Sequence, residues 1–114
     1  MSYKGGDCSR MSFDTIKNID IVNYIGKEDT IIIDLRERYE YKLGHIPTAI
    51  NIPYICLDQH LSKLKGKKQI VFYCERGNIS LLAARDLIKE GYNIKSLYGG
   101  IKAYKGKLVG EYRL

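Results

Sequence analysis

Residues 71 to 80 read Val-Phe-Tyr-Cys-Glu-Arg-Gly-Asn-Ile-Ser. An apolar run delivers Cys74, five residues follow, and a helical pattern opens at Ser80. A short loop between a strand and a helix turns successive backbone N–H groups inward. Together with the helix N-terminus they form a nest for an anion. A thiol placed there has its thiolate stabilised. The same nest would hold a persulfide anion or a small oxyanion. Gly77 permits the backbone conformation of a tight cradle, and Ser80 is placed to cap the helix. The spacing therefore predicts nucleophilic sulfur chemistry at Cys74, with Glu75, Arg76, Gly77, Asn78, Ile79 and Ser80 as the cradle. The competing reading is a buried thiol at the end of a strand, since free cysteine is among the most buried residue types.

Other reactive side chains are scattered. Asp34 and Arg36 stand at the end of another apolar run, where a catalytic role competes with a structural ion pair. His45 is either a general base or the anchor of the turn around Gly44 and Pro47. His60 falls on a predicted helix and reads as a surface residue. Cys56 is a resolving thiol or, given its apolar helical face, a buried one. Among Cys8, Cys56, Cys74, His45 and His60 no pair has the close spacing of a zinc site, so no metal is expected.

The elements that must position Cys74 follow from periodicity. A short first strand is predicted over residues 11 to 16, then a helix from an Asn18 cap to about Ile25, with Ile21, Val22 and Ile25 on one face. Residues 30 to 35 form a continuous β-branched run, the mark of a strand buried on both faces. A short helical turn over 37 to 43 stops at Gly44. Residues 49 to 52 give a third strand, 56 to 64 a helix, 69 to 73 a fourth strand. The clearest helix covers 80 to 90, with Gly91 as its stop. A fifth strand over 92 to 98 and a last helix over 101 to 105 complete the pattern. Strands separated by helices imply right-handed crossovers and a mainly parallel five-stranded sheet with helices on both faces, an α/β fold. Ligands in such folds bind beyond the carboxyl ends of the strands, which is where both Asp34 and Cys74 fall.

The chain has 114 residues, enough for one domain over 11 to 114 behind a loose leader over 1 to 10. Hydrophobic residues make up 45% and charged residues 28%, a balance suited to a globular protein. No apolar run approaches the roughly 20 residues of a membrane helix, so no membrane is expected. The first residues lack the apolar core of a secretory signal, which makes the cytoplasm the expected compartment. Three cysteines at irregular spacing do not make a disulfide framework. The net charge of +6 would suit anionic substrates or an acidic partner, but the plainer reading, and the one expected, is a solvated surface. The densest cluster (Lys63, Lys65, Lys67, Lys68) has no interleaved aromatics, and nucleic acid is not expected as a partner.

The stretch from Asp34 to Pro53, Asp-Leu-Arg-Glu-Arg-Tyr-Glu-Tyr-Lys-Leu-Gly-His-Ile-Pro-Thr-Ala-Ile-Asn-Ile-Pro, resembles the signature of rhodanese domains. Gly99-Gly100-Ile101-Lys102-Ala103-Tyr104 is similar to that family's C-terminal Gly-Gly motif, with Tyr104 where a tryptophan is usual. The resemblance implies the rhodanese fold, no cofactor, and Cys74 as a nucleophile. It would take a sulfane sulfur from a donor such as thiosulfate or a protein persulfide and pass it to a thiol acceptor. It also implies a structural role near the site for Asp34 and Arg36, and the turn-anchoring reading gives His45 a structural role there too. The stretch from Cys74 to Ile79 has the six-residue length of sulfurtransferases, whereas related phosphatase loops are longer and end in an arginine. Two departures bear on turnover. Many active members carry arginine where Ile79 stands, and Ile79 cannot clamp a sulfonate. Glu75 sets a negative charge beside the nucleophile, partly offset by Arg76. A second expectation, from another class, is a binding or regulatory module that docks a protein partner through the same loop face without turnover.

Overall fold

The computed structural model describes residues 14–67 and 69–110. The expected leader, Cys8, Lys68 and the start of the first strand fall outside those residues. Five strands form one sheet: β1 (Asp14–Ile16), β2 (Thr30–Asp34), β3 (Ile50–Asn51), β4 (Gln69–Tyr73) and β5 (Ile94–Leu97). Their order is β1-β5-β4-β2-β3, and every pairing is parallel. The central pair β4–β2 runs in register from Thr30 opposite Gln69 to Asp34 opposite Tyr73.

Side chains alternate across a strand with period two, and the buried residues sort accordingly. Ile33, Ile70, Phe72, Cys74 and Ile94 join one core with Leu57, Leu64, Ala83, Ala84 and Leu87. Ile32, Val71, Tyr73 and Leu97 join the other with Ile16, Ile21, Ile46 and Ala49. The β-branched run of β2 is thus buried on both faces, as its composition requires. Helices α1 (Arg38–Leu43), α2 (Asn78–Ile88) and α3 (Gly100–Ala103), with 3-10 segments at Asn18–Asn23 and Tyr54–Leu64, cover the two faces.

Several boundaries differ from the periodicity reading. The first helix is a 3-10 segment over Asn18–Asn23, preceded by Lys17 rather than capped by Asn18, and only Ile21 is buried in it. Val22 is 64% exposed, because the tighter 3-10 spiral rotates it off the face that an α-helix would have shared with Ile21. The expected helix over 56 to 64 is likewise 3-10, begins at Tyr54, and is broken at His60 (φ −121°). The strands expected over 49 to 52 and 92 to 98 shorten to Ile50–Asn51 and Ile94–Leu97. The last helix is Gly100–Ala103.

Tyr73 ends β4 as the largest of the fully buried side chains. Its hydroxyl accepts the Ile46 N–H at 3.1 Å. Burial and the nearby Asp34 carboxylate push its phenol far above the ordinary value of about 10. Folding therefore favours the protonated form. That contribution is fully present below pH of about 10 and is lost as the pH climbs, because the unfolded chain releases its proton first. Urea unfolding from pH 8 to 11 is expected to show an alkaline loss of stability, with Tyr73 supplying up to about 1.4 kcal/mol per pH unit. Tyr73→Phe should flatten that limb and lower stability at neutral pH, since it strips the buried Ile46 N–H of its acceptor. Parallel alkaline limbs for the two proteins would show that Tyr73 is not the titrating group.

Candidate active site

The strand period that puts Ile70 and Phe72 on one face puts Cys74 there as well, and α2 covers that face. The Cys74 thiol accordingly lies at the edge of that core, in contact with the start of α2. Cys74 Sγ accepts the Gly77 N–H at 3.1 Å and the Ser80 N–H at 3.3 Å. Its own S–H is within reach of Ser80 Oγ (3.7 Å) and Asn78 Oδ1 (4.0 Å). Cys74 is buried, and so are Gly77 and Ser80. Two backbone N–H groups on one sulfur are the arrangement that stabilises a thiolate or an anionic sulfur bound to it.

The loop is tighter than its sequence suggests. Helix α2 begins at Asn78, with Gly77 in its N-cap position at φ 100° and ψ −12°. Only Glu75, Arg76 and Gly77 lie between Cys74 and α2. Ser80 therefore does not cap the helix from outside. It is the third residue of α2, and its Oγ donates back to the Gly77 carbonyl at 3.0 Å. Glycine at position 77 makes this possible, because a side chain at that φ is strained and a Cβ would stand 3.1 Å from Gly99 N. Asn78 and Ile79 thus belong to the first turn of α2. Ile79 is half-buried and packs against the core beneath the helix.

The Gly-Gly turn forms the wall behind the loop. The first N–H groups of α3 reach the loop carbonyls: Ile101 N donates to Cys74 O at 2.9 Å and Lys102 N to Glu75 O at 3.0 Å. In a trans peptide the N–H lies opposite the preceding C=O. Turning those two carbonyls toward α3 sends the Glu75 and Arg76 N–H groups the other way. Lys102 also brings its ammonium to 3.9 Å from the Glu75 carboxylate. Within the loop only Arg76 offsets Glu75; Lys102, from outside it, adds a second cation. The signal that would have found it was the Gly-Gly motif, whose following residues had to return to the loop.

At the neighbouring strand end, Arg36 grips buried Asp34 through Nε (3.0 Å to Oδ1) and Nη2 (2.7 Å to Oδ2). Nη2 also donates to Gly44 O at 2.7 Å. Burial opposes the guanidinium charge, but the Asp34 hydrogen bonds and charge outweigh it and hold the Arg36 pKa above its ordinary value. Asn51 Nδ2 donates to the carbonyls of Asp34 and Arg36, tying β3 into the same corner. His45 stacks on Tyr41 with ring centroids 3.7 Å apart, and its Nδ1 donates to the Tyr41 carbonyl at 2.7 Å. Its backbone pairs with Val109 in both directions. The Asp34, Arg36 and His45 side chains all have structural partners and join no hydrogen bond described at Cys74. Cys56 is half-buried against the core, and His60 Nδ1 donates to its carbonyl at 2.9 Å. Among the described residues no group of three or more His, Cys, Asp or Glu is placed to hold a metal ion, and no helix is long and apolar enough to cross a membrane.

The fold is thus an all-parallel α/β domain that seats a thiol against the N-terminus of the following helix. The chain belongs to the rhodanese-like domain family, whose profile matches residues 19–107. It is similar to a tRNA sulfurtransferase from Desulfurococcus amylolyticus, with 40% identity over 80 residues; these cover 70% of this chain and 16% of that protein. It is also similar to the thiosulfate sulfurtransferase GlpE of Coxiella burnetii, 27% identical over 96 residues, covering 83% and 90% of the two chains. A rhodanese-related protein from Thermoplasma volcanium superposes with a TM-score of 0.74 at 29% identity, covering 85% of this chain and 98% of that one.

Proposed function

We propose that this domain accepts a sulfane sulfur on Cys74 as a persulfide and passes it to a thiol or another nucleophile. One observation carries the reading: Cys74 Sγ receives the N–H groups of both Gly77 and Ser80. Relatives named for sulfur transfer support it. The Cys74 thiolate attacks the outer sulfur of a donor and forms a new S–S bond. The donor's S–S bond breaks, and its remainder leaves with the electron pair, as sulfite in the case of thiosulfate. A thiol acceptor then attacks the terminal sulfur, and Cys74 departs as the thiolate. No cofactor enters either step. A reducing compartment, the cytoplasm, keeps Cys74 in its free form.

The test is intact mass after incubation with thiosulfate or a protein persulfide, before and after cyanide. One added sulfur atom, removable by cyanide, is the expected result. Protein that stays unmodified with both donors would replace this reading with that of a docking module, which Ile79 in place of an arginine favours.

Side-chain charge sets which donor is used. Glu75 opposes the approach of a dianion, and Lys102 and Arg76 only partly screen it. Ile79 offers no hydrogen bond. A persulfide carried in by a protein partner avoids both obstacles. Ile79→Arg is expected to raise the rate with thiosulfate about tenfold or more, since one charge-assisted hydrogen bond contributes roughly 1.5 to 3 kcal/mol. Glu75→Gln should give a smaller gain, because its carboxylate is solvent-screened. The rate with a protein persulfide should change little in either. An unchanged thiosulfate rate in an Ile79→Arg protein of normal thermal stability would show that position 79 does not reach the donor.

A further inference from the structure

Ser96 lies outside every motif of the loop, yet its hydroxyl is one step from the sulfur. It sits two residues after Ile94 on β5 and faces the same side of the sheet, toward the start of α2. Ser96 and Ser80 are both almost fully buried, and their Oγ atoms are 2.7 Å apart. Ser80 Oγ also stands 3.0 Å from the Gly77 carbonyl and 3.7 Å from Cys74 Sγ.

Counting protons orients these bonds. A carbonyl only accepts, so the single Ser80 proton goes to Gly77 O. The 2.7 Å contact then requires Ser96 to donate to Ser80. A lone pair of Ser80 Oγ remains for the Cys74 S–H. When the S–H bond breaks, its proton goes to a solvent base and the electron pair stays on sulfur. The sulfur then needs a donor in place of an acceptor. Ser80 is able to turn its proton from Gly77 O to the sulfur, because Gly77 O keeps the Leu81 N–H at 3.2 Å. Ser96 donates to Ser80 before and after this turn, and a hydroxyl that accepts a hydrogen bond is a stronger donor.

We propose that Ser96 is a positioning residue for the sulfur reaction: its hydroxyl fixes and polarises Ser80, which accepts from the Cys74 thiol and donates to the thiolate or persulfide. The proposal rests on Cys74 as the reactive sulfur, but not on any sulfur donor.

The experiment uses a full-length parent in which Cys8 and Cys56 are serine, so that Cys74 alone reacts with iodoacetamide. Alkylation rate is followed against pH for the parent, Ser96→Ala, Ser80→Ala and the double variant, with urea midpoints confirming that each is folded. Ser96→Ala should move the inflection to higher pH and slow alkylation below it by about three- to tenfold, the worth of one hydrogen bond. The double variant should match Ser80→Ala, because Ser96 acts only through Ser80. A Ser96→Ala profile that overlies the parent, or effects that multiply in the double variant, would overturn the proposal. Alkylation consumes no sulfane sulfur, so the result stands apart from whether a persulfide forms.

Discussion

Cys74→Ser is expected to abolish sulfur capture altogether, while Cys56→Ser and Cys8→Ser keep it. The reason is chemical before it is structural. A serine hydroxyl in the same cradle stays protonated at neutral pH, and an alkoxide is too poor a nucleophile toward a sulfane sulfur to substitute for a thiolate. The cradle itself should survive, since oxygen accepts the Gly77 and Ser80 N–H groups as sulfur does. Cys74→Ser should therefore unfold at a urea concentration close to that of the parent, which separates loss of chemistry from loss of fold. Cys56 is half-buried within the 3-10 segment at Tyr54–Leu64, packed against the core, and joins no hydrogen bond described at the loop. Its replacement should leave the cyanide-removable sulfur in place. Intact mass resolves all three variants in one series. A sulfur adduct that persists in Cys74→Ser and disappears in Cys56→Ser would move the reaction to Cys56 and leave the cradle as a binding site.

How far the sequence foretells such a site depends on the range of the interactions. The central strands are legible because their signal is local: four consecutive residues of β4 (Ile70 to Tyr73) and of β2 (Thr30 to Ile33) are apolar or β-branched, and burial on both faces leaves them no other use. The direction of the Cys74 side chain follows from the same period-two rule. The loop is harder. Ser80 is a good cap and so points to a helix start there, but the structure starts α2 at Asn78, where left-handed Gly77 takes the N-cap position without any side-chain cap. The two-residue shift turns a five-residue loop into a three-residue one and moves Ser80 from the mouth of the cradle to its buried floor. The contributions of Lys102 and Ser96 depend on contacts 27 and 16 residues away, to Glu75 and Ser80. No pattern within the loop itself encodes them. The 3-10 segments at Asn18–Asn23 and Tyr54–Leu64 look like α-helices in the sequence for a related reason: apolar spacing over one or two turns fits both spirals, and tertiary packing decides between them.

The long-range contact with the greatest consequence is at Gly100, and Gly100→Ala is the second large effect expected. Gly100 has φ 66°, where any Cβ is strained. A Cβ built there would stand 2.5 Å from Glu75 O and 2.6 Å from Cys74 O. Both obstacles are backbone, so no side chain can swing aside. Either α3 withdraws, which breaks the Ile101–Cys74 and Lys102–Glu75 hydrogen bonds, or the loop shifts and carries the Glu75 and Arg76 N–H groups with it. Gly26 supplies the control. It has φ 79° and nothing within 4 Å of its would-be Cβ, so Gly26→Ala bears only the conformational strain, about 1 to 2 kcal/mol. Gly100→Ala should cost that much plus the overlap and the two backbone hydrogen bonds, about 3 kcal/mol or more in all. Urea unfolding of the two variants measures the difference, and the yield of cyanide-removable sulfur in the protein that remains folded measures what the shift does to the cradle. Gly26→Ala should keep that yield, and Gly100→Ala should lose most of it. Equal stabilities and equal yields would mean that α3 and the loop move apart freely, and the orientation of the cradle would then have to come from α2 alone.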